Sequence, residues 1–216
     1  ADNALLFAAI AMLSNLQAPT WHQPLLLQFF VLAYIILAPF VGAFADSRPK
    51  GQVMFISNGI KLFGCLAMLV GMQPLYAYAI VGIGAAAYSP AKYGILTELL
   101  PEKSLVPANA WVEGLTVTAI ILGAILGGIA ATYNVNLAII LIGVLYILAA
   151  IFNRYIPTLP IHHKMRHTNP WHLVKDFFSS YGKLWRDPLG QLSLAITTLF
   201  WGAGATLRLV IIGWAA

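Results

Sequence analysis

The sequence predicts an all-α, polytopic membrane protein. Three observations predict it. Hydrophobic residues make up 60% of the chain and charged residues 9%, against roughly 25% charged in an average soluble domain. The apolar residues gather into runs near the length of roughly 20 residues that a helix needs to cross the hydrocarbon core. The charges fall mostly in the connections between runs, so the net charge of +5 is not the basic face of a nucleic-acid binder. No nucleic-acid partner is expected.

The runs predict about seven spanning helices. The first, Ala4 to Leu13, ends near Asn15–Gln17 and is too short to span alone. The second extends from about Pro24 to Ala45, the third from Val53 to Met72, and the fourth from Leu75 to Leu100. The fifth covers Ala108 to Thr132, the sixth Leu137 to Ile156, and the seventh starts near Leu189 and reaches Ala216. We expect a fragment, with a truncated first helix and a truncated seventh. No basic n-region followed by a small-residue cleavage site marks a signal peptide. Cys65 stands alone in an apolar run. It forms no intrachain disulfide and reads as a small buried hydrophobe.

The connections alternate in charge. Ala18–Gln23, Gln73–Pro74 and Tyr133–Asn136 contain no Lys or Arg. The other side carries Arg48 and Lys50, then Lys103, then Arg154, Lys164, Arg166, Lys175, Lys183 and Arg186. The positive-inside rule places that second set in the cytoplasm, and the chain's start with it. The expected organisation is a six-helix half over residues 1–156, a cytoplasmic connection over 157–188, and the first helix of a second half over 189–216. Within the connection, Trp171, Val174, Phe177, Phe178, Tyr181 and Trp185 recur at helical spacing. This pattern predicts an amphipathic helix lying on the inner leaflet, in contact with membrane lipids. The alternative is a linker helix packed on the bundle.

Charges inside the spans carry the functional reading. A charge at the bilayer centre costs about 2.5–3.5 kcal/mol on insertion scales, so such residues line pathways or pair with one another. Asp2, Lys92 and Arg208 are of this kind, and Lys61 and Glu113 also fall within spans. At 1.5 Å per residue, Asp2 lies ~22 Å of helix from Gln17, Lys92 ~14 Å from Pro101 and Arg208 ~30 Å from Pro188. The three can form a ladder from outer to inner leaflet. Lys61 and Glu113 read as nearer the cytoplasmic ends, in a structural or gating ion pair with unnamed partners.

Gly42-Ala43-Phe44-Ala45-Asp46-Ser47-Arg48-Pro49-Lys50 closes the second helix. It resembles the loop 2–3 signature of the major facilitator superfamily, G-x-x-x-D followed by basic residues. Gly42 then allows close helix packing, Asp46 faces a helix N-terminus, and Arg48 and Lys50 hold the loop at the cytoplasmic side. Pro49 departs from the glycine usual there. A closer resemblance rests on Asp2-Asn3-Ala4-Leu5-Leu6-Phe7, on Ala87-Tyr88-Ser89-Pro90-Ala91-Lys92-Tyr93-Gly94 and on Phe200-Trp201-Gly202-Ala203-Gly204-Ala205-Thr206-Leu207-Arg208. Together they resemble the bacterial lysophospholipid transporter branch of that superfamily.

The resemblance implies a major facilitator fold of twelve helices, of which the chain covers helix 1 to helix 7. It implies a flippase that moves lysophospholipids, chiefly lysophosphatidylethanolamine, from outer to inner leaflet of the bacterial inner membrane. An acyltransferase–acyl carrier protein synthetase would re-acylate them there. The residue types suit that cargo. Arg and Lys bind phosphate, and a carboxylate or an aromatic face binds an ammonium. Arg208 and Lys92 are candidates for the phosphate and Asp2 for the ammonium, with Asn3, Tyr88 and Tyr93 beside them. Each has a plainer alternative. Arg208 can pair with an acid elsewhere, Lys92 can snorkel to the interface, and Asp2 can serve helix packing with Asn3.

Gly114, Gly123, Gly127 and Gly128 partly match a glycine pattern of superfamily antiporters, which keeps a proton-coupled drug antiporter open, with Asp2 or Glu113 as proton carrier. Close packing by small residues is the simpler account. His162, His163 and His167 lack Cys or acidic company and read as solvated. No nucleophile–base pair or phosphate loop stands out, so an enzyme such as a membrane acyltransferase is the outlying alternative, and no cofactor is expected.

Overall fold

Each helix starts or stops where its residues allow. The structure, a computed structural model, describes residues 1–158 and 170–215, and at 208, 209, 212, 213 and 215 the backbone alone. Among them are eight helices: α1 (Asp2–Asn15), α2 (His22–Asp46), α3 (Lys50–Leu69), α4 (Pro74–Leu99), α5 (Glu102–Tyr133), α6 (Val135–Asn153), α7 (Pro170–Arg186) and α8 (Pro188–Ala215). Proline sets several starts, because it fits the first turn, where its missing N–H loses nothing. Pro49 precedes α3, Pro74 opens α4 and Pro101 precedes α5. α5 therefore begins at Glu102, earlier than the expected Ala108. Its polar first turns are helical although they are not apolar.

Two helix ends carry the Schellman pattern. After α3, Gly71 takes φ +90, and the Met72 and Gly71 amides donate to the Ala67 and Met68 carbonyls. After α1 the same bonds form around Gln17, at φ 52. Glycine meets that conformation without the steric cost glutamine bears.

The chain divides into two compact units, Ala1–Arg166 and His167–Ala216. In the first, α3 packs on α4 and α6, α2 packs on α4, and α1 packs chiefly on α5 while touching α2, α4 and α6. Small residues set the approach. A Cβ at Gly127 would collide with the Ala4 backbone, so α5 and α1 meet with no side chain between them. Gly42 is different from expectation. A Cβ there would meet nothing within 4 Å among the described residues, so no neighbour uses its small size. Gly114 and Gly128 are equally open, and only Gly123 and Gly127 of the four α5 glycines lie against α1.

The burial pattern is that of a bundle made for lipid. Ser57, Asn58 and Lys61 of α3 are buried, whereas Ile121, Leu122, Ile125, Leu126 and Ile129 of α5 are exposed. So are Ile140, Leu141, Val144, Leu145, Leu148 and Ile151 of α6. An apolar exterior this continuous marks a surface meant for something other than water. Among the described residues, α2, α3, α5 and α6 are long and apolar enough to cross a membrane by length and composition. α4 is long enough, but Tyr88, Ser89, Pro90, Lys92 and Tyr93 interrupt its apolar run.

In the second unit, Asp187 caps α8. Its Oδ2 accepts the Gly190 amide at 2.8 Å, with Pro188 at the first helical position. No residue of α7 is buried.

Candidate functional site

The polar centre of the first unit is built on α3. Lys61 sits near the middle of this helix and is 5% exposed. Its stem runs along the bare backbone of α4, where a Cβ at Gly84 would stand 2.7 Å from Lys61 Cγ. Its Nζ donates to Asp2 Oδ2 at 2.9 Å and to Oδ1 at 3.2 Å. Tyr146 of α6 donates its hydroxyl to the same Oδ1 at 2.6 Å, and the Tyr78 hydroxyl donates to the Asp2 carbonyl at 3.3 Å. The Lys61 ammonium also lies 4.8 Å from the Tyr88 ring centroid and 5.7 Å from that of Tyr146. The Tyr88 hydroxyl interacts with Asn153. Four helices thus converge on one carboxylate and one ammonium.

This arrangement corrects two expectations. Lys61 is mid-helix rather than near a cytoplasmic end, although the ion pair expected of it is present, with Asp2 as the partner. Asp2 is already engaged, by a charge-assisted pair and a phenol, so an incoming ammonium does not find it vacant. Asn3 points elsewhere: its Cβ lies 3.5 Å from where a Cβ of Gly123 would stand, at the α1–α5 seam. Nothing in a single sequence links residues 59 positions apart, which is why the pair was missed. The usable signal was two opposite charges within spans, each needing a partner.

A second cluster lies between α4 and α5. Lys92 Nζ donates to Thr116 Oγ1 at 2.7 Å and stands 4.8 Å from the Tyr93 ring centroid. Tyr93 donates its hydroxyl to Glu113 Oε1 at 2.7 Å. Among the described residues Lys92 makes no ion pair within 4.0 Å. Glu113 therefore meets a phenol rather than a cation, contrary to the expected ion pair with an unnamed partner. Ser89, one residue before Pro90, donates to the Ala85 carbonyl at 3.2 Å and lies 3.4 Å from the Tyr34 hydroxyl.

The third cluster joins α2, α3 and α4. Lys50 is 7% exposed. Its Nζ donates to Asp46 Oδ1 at 2.6 Å and to the Ala45 carbonyl at 2.9 Å, and lies 3.4 Å from Glu98 Oε1. Lys50 is thus the first residue of α3 and a buried tie between helix ends, rather than a solvated loop charge. Asp46 pairs with Lys50, and the exposed Arg48 lies 5.1 Å from the Phe44 ring centroid. Arg208 lies on the α8 backbone, but its side chain is outside the described residues, as are His162, His163 and His167.

A bundle with an apolar exterior, a central ion pair and a charged knot at the α2–α3 turn defines a class. The chain belongs to the Major Facilitator Superfamily, whose family model matches residues 2–215. It is 47% identical over 213 residues to a Serratia proteamaculans (strain 568) protein named lysophospholipid transporter LplT. It is 46% identical to the protein of that name from Yersinia enterocolitica and 45% identical to that from Yersinia pestis (strain Pestoides F). Each match covers 99% of this chain, and 54%, 53% and 52% of the respective relative. The chain spans about half the length of the curated relatives it matches.

Proposed function

We propose that the chain forms the first six-helix half, the connection and the first helix of the second half of a lysophospholipid flippase. Residues 1–156, 157–188 and 189–216 take those parts. The cargo is chiefly lysophosphatidylethanolamine, moved from outer to inner leaflet of a bacterial inner membrane, with the basic connections cytoplasmic. Two six-helix halves would rock about a site between them. The product would pass to a separate acyltransferase.

The observation that supports this reading is the contrast of two polar clusters inside one apolar bundle. Asp2, with the Tyr88 and Tyr146 faces near the ammonium it already binds, suits an ammonium. Lys92, a cation with no ion pair among the described residues, suits a phosphate. A lysophospholipid with an ethanolamine headgroup carries both groups, and its tail gains nothing by leaving hydrocarbon. The names of the relatives point to the same cargo.

Flipping of fluorescent lysophosphatidylethanolamine by purified protein in vesicles tests this. Parent protein should speed flipping well above protein-free vesicles and should transfer no acyl group unaided. Arg208→Ala should slow flipping across phosphate-bearing headgroups, and Arg208→Lys should recover part, because Lys keeps the charge without the bidentate fork. Flipping at the protein-free rate would sink the reading.

A further inference from the structure

The ammonium of Lys61 occupies the place a headgroup ammonium needs. Both are primary ammonium groups on an alkyl stem. Lys61 has the carboxylate of Asp2 at 2.9 Å and two tyrosine faces at 4.8 and 5.7 Å, which is the chemistry that recognises an organic ammonium. The Lys61 side chain is 7% exposed, so it holds the carboxylate from within the bundle. A second cation added to the same carboxylate would stand beside Lys61 in a low-dielectric interior, where like charges repel strongly. The four-carbon lysine stem is flexible, and the Tyr88 ring offers the ammonium a face to retreat to.

We infer that Lys61 is a tethered competitor for the ammonium site at Asp2, and that a headgroup ammonium binds by displacing it. Lys61 is then a specificity-determining residue. A neutral headgroup cannot displace it, and an ammonium headgroup must outbid a permanent occupant. The identity of the ligand rests on the lysophospholipid reading; the exchange at Asp2 does not. An internal occupant lowers apparent affinity by the fraction of time it leaves the site open.

Ligand-dependent thermal unfolding of purified protein in detergent tests the exchange. The probes are lysophosphatidylethanolamine, lysophosphatidylglycerol and the phosphate-free amphiphile dodecylammonium. Lys61→Gln should tighten lysophosphatidylethanolamine and dodecylammonium by about tenfold and leave lysophosphatidylglycerol within about twofold. Lys61→Arg keeps the charge and adds a bidentate fork to Asp2, so it should weaken both ammonium probes several-fold. A Gln variant that shifts all three probes alike, or weakens the ammonium probes, overturns the inference. Should the Gln variant fail to fold, the Arg variant decides, and unchanged ammonium affinity there overturns it equally. If the parent binds neither lysolipid, the lysophospholipid reading fails, and the dodecylammonium arm still decides the exchange.

Discussion

Lys61 in α3 meets a carboxylate at 2.9 Å, whereas Lys92 in α4 meets a threonine hydroxyl at 2.7 Å and the face of Tyr93. The first cluster sums to no net charge and holds four helices. The second also holds one cation and one acid at the α4–α5 seam, but they do not pair: Lys92 donates to Thr116, and Glu113 accepts from the Tyr93 hydroxyl. A charge inside a bundle either finds a counter-ion or waits for one. Lys61 is of the first kind. Lys92 is of the second kind, which is the observation behind proposing it, rather than Lys61, for a phosphate.

The comparison breaks hardest at Lys61. Removing one partner of a buried pair strands the other charge, at a cost of about 3–5 kcal/mol when both are fully buried. Asp2 is partly exposed, so Lys61→Met should cost about 3 kcal/mol, the lower end of that range. Adding Asp2→Asn should return most of it, because no charge is then left unpaired. Thermal unfolding in detergent reads both. A double variant no more stable than the single one would mean the pair is not the source of the loss.

Lys92 should behave in the opposite way. Its hydroxyl and ring contacts are replaceable, so Lys92→Ala should change stability by less than about 0.5 kcal/mol. Flipping should nevertheless fall on the order of tenfold, the worth of one charge-assisted hydrogen bond to phosphate. Lys92→Arg should retain more activity than Ala. Parent-like flipping by the Ala variant, at equal protein in the vesicle, would return Lys92 to the role of a side chain snorkelling to the interface.

The two clusters were unequally legible in the sequence. Tyr88, Lys92 and Tyr93 lie close together on one helix, so their shared neighbourhood follows from the sequence. The contact with Thr116 needs the α4–α5 packing, but only 24 residues of separation. Asp2, Lys61, Tyr88 and Tyr146 come from four helices, and no local pattern brings them together. Helix existence was legible from apolar runs, but the polar first turns of α3 and α5 lay outside those runs. Pro49 and Pro101 marked those starts all the same. Gly127 was read as a packing residue and lies against Ala4; Gly42 was read the same way and meets no neighbour among the described residues. A small residue permits close approach without dictating it.

α7 sharpens the comparison from the second unit, where none of its residues is buried. Its aromatic residues recur at helical spacing, yet Trp171, Phe178 and Trp185 are 77%, 64% and 56% exposed. Tyr181 stacks on Trp185 at 6.1 Å between centroids, and Lys175, Lys183 and Arg186 supply cationic heads. Three large aromatic side chains in water would forfeit the burial their area offers, whereas a lipid interface accepts aromatic faces and draws cations to anionic headgroups. Replacing Trp171, Phe178 and Trp185 by Ser should therefore leave the unfolding temperature nearly unchanged, because no residue of α7 is buried. The effect should appear in vesicles containing anionic lipid, as faster proteolysis or hydrogen exchange of α7, and should shrink in vesicles without anionic headgroups. Equal protection of parent and variant in vesicles would make α7 a solvated linker helix.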